Sequence, residues 1–274
     1  MELSGAPLPC SATEEVLPAT APSTSCWVAI EQPGPWQSHA LEPGGSRLPD
    51  EVAKALNSWT TRSDIKVVLI RSRHRHAIHR DQETRRVYIA PLRATPGALY
   101  RLDVADVQEI LHLDPAKLIA GEIHAPRHPE RVDLICTNGK RDICCAQFGR
   151  PLLEQLEAAG REVWESSHIG GHRFAPVHLT LPDGRIWGRN GELRGSSNLS
   201  RISQALETHY FNRGIDLFGA HFAEEEISKE SWRVSATHNG ETISEVVEKL
   251  ERGLEVESCN KEAVQGEIFR VKIA

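Results

Sequence analysis

The sequence predicts an α/β protein made of two layered domains. Short apolar segments of strand length alternate along the chain with amphipathic segments of helical period, which is the pattern of stacked α/β layers. The polar stretch HAPRHPER at 124–131 interrupts this order, which then restarts. At 274 residues the chain has room for two domains, since a domain usually takes roughly 100–200 residues. We therefore expect one domain over 1–122, a second over 123–213, and an α+β extension over 214–274.

The elements of the first domain follow from local patterns. Val52, Leu56 and Trp59 recur at helical spacing, whereas the apolar runs are short enough for strands buried on both faces. In chain order, the predicted elements are the strand WVAI (27–30), the helix EVAKALNSW (51–59), the strands KVVLIRS (66–72) and RRVYIA (85–90), and the helix DVADVQEILHLDPAKLIA (103–120).

The second domain has a recognisable order of elements. Pro151 suits the first position of a helix, and Pro182-Asp183-Gly184 is a strong turn signal between two strands. The predicted elements are the strand VDLIC (132–136), the helix PLLEQLEAAG (151–160), the strand REVWESS (161–167), the hairpin VHLTLPDGRIWGR (177–189) and the helix SSNLSRISQALETHYF (196–211). This order, strand, helix, strand, two strands and helix, is that of a thioredoxin-like domain. The first domain is interpreted as a degenerate relative of the same fold.

The extension is predicted from weaker patterns. SWRVSA (231–236) is expected to be a strand, while the spacing of the apolar residues in TISEVVEKL (242–250) predicts a helix. GLEVESC (253–259) and EIFRVKI (267–273) are expected to pair as closing strands.

Composition narrows the function classes. The net charge is −6 and the mean hydropathy is −0.39, and no apolar run approaches the roughly 20 residues of a membrane span. The acidic balance argues against a nucleic-acid binder. The N-terminus has neither a secretory apolar core nor an arginine-rich transit pattern, so we expect a cytoplasmic protein. Stable disulfides are rare there, and the six cysteines therefore indicate buried, catalytic or metal-binding roles.

Two cysteines and two histidines lie where predicted strands give way to loops. Cys136 ends the strand VDLIC, and Cys145 lies nine residues later. His168 follows the strand REVWESS, and His172 lies four residues further on. In a thioredoxin-like fold both strand ends face the same edge of the sheet. The four side chains are therefore a candidate metal-ligand set, with either Cys144 or Cys145 as the second thiolate.

The residues between these candidate ligands favour loops that approach a bound group closely. Gly170 and Gly171 separate the histidines, and each glycine costs a helix interior about 1 kcal/mol, so a helical zinc-protease motif is disfavoured. A glycine pair instead lets the backbone approach a cluster. Asn138 and Gly139 are expected to turn the first loop, and the charge of Arg141 would offset that of an anionic group.

CTNGKRDICC followed by SHIGGHRFA resembles the paired signatures of the sucrase/ferredoxin-like family, thioredoxin-like ferredoxins with two histidine ligands. WVAIEQPGPW resembles the first-domain motif of that family, so the similarity covers about 10–200. The resemblance implies a [2Fe–2S] cluster held by Cys136, Cys145, His168 and His172, with the cysteines on one iron and the histidines on the other.

The prediction is thus a one-electron carrier rather than an enzyme, working between unknown redox donor and acceptor proteins. Neutral imidazole in place of thiolate makes such a cluster easier to reduce, and an imidazole that loses a proton would couple its potential to pH. Structural zinc is one alternative, because two cysteines and two histidines form a familiar zinc set. A thioredoxin-like thiol–disulfide oxidoreductase is the other, although the chain lacks Cys-x-x-Cys. Whether the protein is a carrier or a sensor stays open.

Overall fold

The computed structural model describes residues 15–73, 84–189, 191–255 and 264–272. Within these residues the helices are α1 (Asp50–Arg62), α2 (Pro115–Ala120), α3 (Ile143–Ala158) and α4 (Arg201–Phe211), with 3-10 turns at Val107–His112 and His172–Phe174. The strands are β1 (Cys26–Glu31), β2 (Ile65–Arg71), β3 (Arg85–Pro91), β4 (Tyr100–Val104), β5 (Val132–Cys136), β6 (Glu162–Ser166), β7 (His178–Leu181), β8 (Arg185–Gly188), β9 (Glu192–Ser196), β10 (His221–Ser228), β11 (Ser231–His238), β12 (Glu241–Glu255) and β13 (Val264–Val271).

One nine-stranded sheet runs through both halves of the chain, in the order β4-β3-β1-β2-β6-β5-β7-β8-β9. In the first half β1 and β2 are parallel, β3 is antiparallel to β1, and β4 is antiparallel to β3. In the second half β5 and β6 are parallel, β7 is antiparallel to β5, and β8 is antiparallel to β7. The two halves therefore repeat the same strand arrangement, and the predicted α/β class is confirmed.

The halves meet through a short antiparallel pairing of β2 with β6, in which Ile70 lies opposite Ser166 and Arg71 opposite Glu165. Arg71 also forms an ion pair with the Glu165 side chain. The predicted boundary between 122 and 123 falls in the connection from α2 to β5. The division into domains stays a prediction, because both halves contribute to this one sheet.

Side chains alternate between the two faces of each strand, so the apolar core forms a separate cluster on each face of the large sheet. Val28 and Ile30 of β1 pack with Leu56 of α1 on one face. Trp27 and Ala29 point to the other face, where they belong to the same buried cluster as Leu134, Cys136 and Cys145. The candidate cysteines are therefore continuous with an apolar core that both halves share.

Two predicted helices have different bounds in the structure. The helix predicted from Pro151 begins eight residues earlier at Ile143, with Pro151 inside it, because Asp142 caps the helix by accepting from the Cys144 N–H at 3.0 Å. The helix predicted over 103–120 is divided into the end of β4, a 3-10 turn capped by Asp106, and α2, which begins at Pro115. Asp106, and Asp114 as the N-cap of α2, thus divide one apolar pattern into separate elements.

The C-terminal segment forms a second, antiparallel sheet in the order β10-β11-β12-β13. The helix predicted at TISEVVEKL is wrong, because these residues lie within β12. Val247 of β12 joins Val234, Val271 and Leu206 of α4 in a third buried cluster. The predicted strand SWRVSA is confirmed as part of β11, and residues 267–271 of EIFRVKI are confirmed as part of β13. The last residue of EIFRVKI and residues 256–259 of GLEVESC lie outside the described residues. In the described part of the chain, no helix combines the length and apolar character needed to span a bilayer.

Candidate metal centre

The loops that carry the candidate ligands leave adjacent strands side by side. Cys136, the last residue of β5, lies directly opposite Ser166, the last residue of β6. The hydrogen bonding between β5 and β6 continues one residue beyond β5, because the Thr137 N–H donates to the Ser166 carbonyl at 3.1 Å. The convergence predicted from the two strand ends therefore follows from the parallel register of β5 and β6.

Helix α3 brings Cys145 back to Cys136. Asn138 holds the intervening loop, since its side-chain oxygen accepts from the Lys140 N–H at 3.2 Å. A Cβ added to Gly149 would lie 2.3 Å from the Cys136 carbonyl oxygen, so α3 crosses the end of β5 in close contact. This approach positions the first turn of α3, and Cys145 in it, over the strand end.

The second loop is built on the predicted glycine pair. Gly170 and Gly171 have φ values of 110° and 75°, a region that favours glycine over other residues. His172 then begins a 3-10 turn whose Phe174 is fully buried. The glycine pair therefore reverses the chain between His168 and His172, in place of a helical turn.

Three of the four predicted ligands come together. The Sγ atoms of Cys136 and Cys145 and a ring nitrogen of His168 all lie within 4.8 Å of one another. His172 lies outside this mutually close set, but its ring centroid is 5.0 Å from that of His168. Cys144 is buried against Ala175 and is not part of the set, so the geometry favours Cys145 over its neighbour.

The two cysteines form a proton-sharing pair. A hydrogen bond from Cys145, followed by the influence of His168, holds the pKa of Cys136 well below its usual range despite complete burial. The same hydrogen bond, together with burial, raises the pKa of Cys145. One thiolate and one thiol therefore share a proton, which a bound metal ion would replace.

The histidines present ring nitrogens that lack partners. Nδ1 of His168 and both ring nitrogens of His172 are buried and have no hydrogen-bond partner within the described residues. The Asp142 carboxylate lies 3.6 Å from Nε2 of His172, beyond hydrogen-bond distance. Burial, then the charge of His168, lowers the pKa of His172, so the ring is neutral and its nitrogens can bind a metal. Unpaired buried polar atoms are costly, and a metal bound by both rings would satisfy one nitrogen of each.

The other predicted cofactor-binding residues shape the two loops. The side-chain amide of Asn138 also donates to the Gln37 carbonyl at 3.0 Å, which ties the cysteine loop to the first half of the chain. A Cβ on Gly139 would lie 2.9 Å from that of Ala146, so this glycine permits close packing against α3. Arg141 reaches His39 rather than the cysteines, with its Nη1 3.2 Å from Nε2 of the imidazole.

Three basic residues near the site have no local signal in the sequence. His39 and Lys66, from the first half, line a cavity of about 370 Å³ together with Arg141 and His168. Arg194, on β9, donates to the Gly170 carbonyl at 2.9 Å. Only the shared sheet brings these distant residues to the loops, which is why patterns along the chain do not reveal them.

One of three comparisons with known proteins found a match. The sucrase/ferredoxin-like family model matches residues 17–205, more than half of the chain and both halves of the large sheet. A search of curated proteins and a search of solved structures each found no match.

Proposed function

Given that the chain belongs to the sucrase/ferredoxin-like family, we propose that it is a one-electron carrier with a [2Fe–2S] cluster held by Cys136, Cys145, His168 and His172. The observation that carries the proposal is the buried group of two sulfurs and a histidine nitrogen, with a second histidine beside it. Its donor proteins, acceptor proteins and proton coupling belong to the same proposal.

The donor set suits such a cluster. When bound, the cluster would take up and release one electron at a potential raised by its two neutral imidazoles. The cysteines keep their end of the site dry, because both belong to the apolar core of the sheet. His168 lies at the wetter end, where it lines the cavity beside Arg141 and Lys66. Electrons would therefore enter and leave on the histidine side.

Structural zinc is the closest alternative, since the same four donors suit a tetrahedral ion. A zinc site in this position would hold the loops together without accepting an electron. The family match favours the cluster, and metal analysis separates the two possibilities.

A thiol–disulfide oxidoreductase is the alternative from another class. The lowered pKa of Cys136 suits a nucleophilic thiol, but such enzymes expose their reactive cysteine. Cys136 and Cys145 are both buried, with exposures of 1% and 0%. Their burial favours a bound group over exchange with a substrate disulfide.

The test is an ultraviolet–visible spectrum together with iron, sulfide and zinc analysis of protein purified without oxygen. The proposal predicts red-brown protein with about two irons and two sulfides per chain, bleached by dithionite. Colourless protein with one zinc per chain would establish the structural metal site. Metal-free protein that reduces a model disulfide would establish the thiol enzyme.

A further inference from the structure

Arg194 is a buried arginine directly beneath the loop from His168 to His172, called the histidine loop below. Only 2% of the residue is exposed. Its Nη1 donates to the Gly170 carbonyl at 2.9 Å, and its Nε donates to Oγ1 of Thr20 at 3.1 Å. Its Nη2 donates to the Thr20 carbonyl at 2.5 Å. The guanidinium thus joins the histidine loop to the segment that precedes β1.

These partners are all neutral oxygens. In the described part of the chain no carboxylate oxygen lies within ion-pair distance of Arg194, and Glu15, whose charge acts on it, is paired with Arg173 at 2.5 Å. Burial, and then the charge of Arg173, lowers the pKa of Arg194 to about 9, which leaves it charged at neutral pH. A buried charge without a counter-ion is unfavourable, so the folded protein favours any negative charge that develops close to Arg194.

Gly171 makes the close approach possible. A Cβ at Gly171 would lie 2.4 Å from Nη2 of Arg194, and the residue also has a positive φ of 75°. The guanidinium therefore sits against the peptide that connects His168 to His172. Besides reversing the chain, the glycine pair leaves room for the Arg194 guanidinium beneath the histidine loop.

We infer that Arg194 is a positioning residue that holds the histidine loop and whose charge favours the reduced state of the cluster. This inference rests on the proposed function. Two ferric ions, two sulfides, two thiolates and two neutral imidazoles carry no net charge together. One electron from a one-electron reductant makes the group singly negative, and no covalent bond forms or breaks. A fixed buried cation stabilises the negative state more than the neutral one, which raises the midpoint potential. The charge of a zinc site does not change, so a nearby cation could not favour one redox state of it over another.

The test compares the full-length variants Arg194→Gln and Arg194→Lys with Arg201→Gln by redox titration with dithionite. Arg201 is the matched control, because it also donates to the segment before β1, at the Ala19 carbonyl (3.0 Å), while its Nη2 donates to the Glu267 carbonyl of β13 at 2.8 Å. We expect Arg194→Gln to weaken one-electron reduction at least tenfold, a fall of about 59 mV for a one-electron couple. Arg194→Lys, which keeps the charge, should stay closer to the wild type. A midpoint potential in Arg194→Gln equal to that of Arg201→Gln would overturn the electrostatic part.

The rate of amide hydrogen exchange at residues 168–172 tests the positioning role independently of the midpoint potential. Exchange should be faster in Arg194→Gln than in Arg201→Gln, and equal rates would overturn this role. Should Arg194→Gln fail to fold, the neutral variant Arg194→Met carries the redox comparison, with the same fall in potential expected, and Arg194→Lys carries the exchange comparison. Wild-type protein without iron would overturn the proposed function and the electrostatic part together, while the exchange comparison would still decide the positioning role.

Discussion

The adjacent cysteines of α3 occupy different surroundings. The sulfur of Cys145 lies with Cys136 and His168, whereas Cys144 packs against Ala175. Both are fully buried, so exposure does not distinguish them. Their difference comes from the helix, in which successive side chains point about 100° apart. A shift of one residue along the helix therefore decides which thiol lies in the candidate metal centre.

This difference gives a prediction with a built-in control. We expect Cys145→Ser to lose the cluster, because a hydroxyl is a poor substitute for a thiolate ligand, and Cys144→Ser to keep it. Iron and sulfide content and the visible spectrum of both variants check the expectation. Retention of the cluster in Cys145→Ser with loss in Cys144→Ser would reverse the assignment.

At the scale of elements, the site depends on how closely α3 crosses β5. Gly149 lies at the crossing, against the Cys136 carbonyl. Asp142 fixes the start of the helix, and the parallel register of β5 and β6 fixes where the second loop begins. The candidate ligands are thus placed by rigid elements, and the loops need only to reverse the chain.

The crossing is tested by Gly149→Ala. Alanine favours a helix interior by about 1 kcal/mol, but the new methyl would lie 2.3 Å from the Cys136 carbonyl oxygen. We expect the steric conflict to prevail, with a net loss of about 1–2 kcal/mol in the free energy of unfolding, measured by urea titration.

Gly253→Ala on β12 is the control, because a Cβ there has no atom of the described residues within 4 Å. It should change the free energy of unfolding by less than about 0.5 kcal/mol. A Gly149→Ala variant as stable as the wild type would show that the crossing tolerates the methyl group.

At the scale of the whole molecule, the two halves are held together around Glu162 at the start of β6. Tyr88 of β3 and Trp164 donate to its Oε1, and His128 lies 3.0 Å from its Oε2. Burial alone would raise the pKa of Glu162, but these donors outweigh it and lower the pKa below the ordinary value of 4.5. The carboxylate is therefore more favourable in the folded protein than in the unfolded chain.

This depressed pKa predicts how stability depends on pH. The contribution of Glu162 is fully present above pH 4.5, the ordinary value of its pKa, and is lost as the pH falls through the lower pKa of the folded state. Glu162→Gln should therefore lose less stability than the wild type on acidification below pH 4.5. Urea unfolding at a series of pH values measures this, with Glu192→Gln on β9, an exposed position, as the control. Identical pH profiles for Glu162→Gln and the wild type would contradict the prediction.

The local features of the site could be predicted from the sequence, and its surroundings could not. The strand ends at Cys136 and before His168, and the glycine loop, follow from patterns within about ten residues. The apolar residues of TISEVVEKL have helical spacing, but the segment pairs with β11 and β13. Because its β-branched residues suit a sheet, this long-range pairing makes it a strand. His39 reaches the site because β2 pairs with β6, and Arg194 reaches it because β9 joins the sheet through β8, β7 and β5; no local pattern indicates these pairings.

The central claim, that two thiolates bind one iron and two imidazoles the other, is tested most directly by the Mössbauer spectrum of oxidised protein enriched in the Mössbauer-active iron isotope. Two quadrupole doublets of equal area with different isomer shifts are expected, because imidazole donates less electron density to iron than thiolate does. One doublet from two equivalent irons, or protein that takes up no iron, would contradict it.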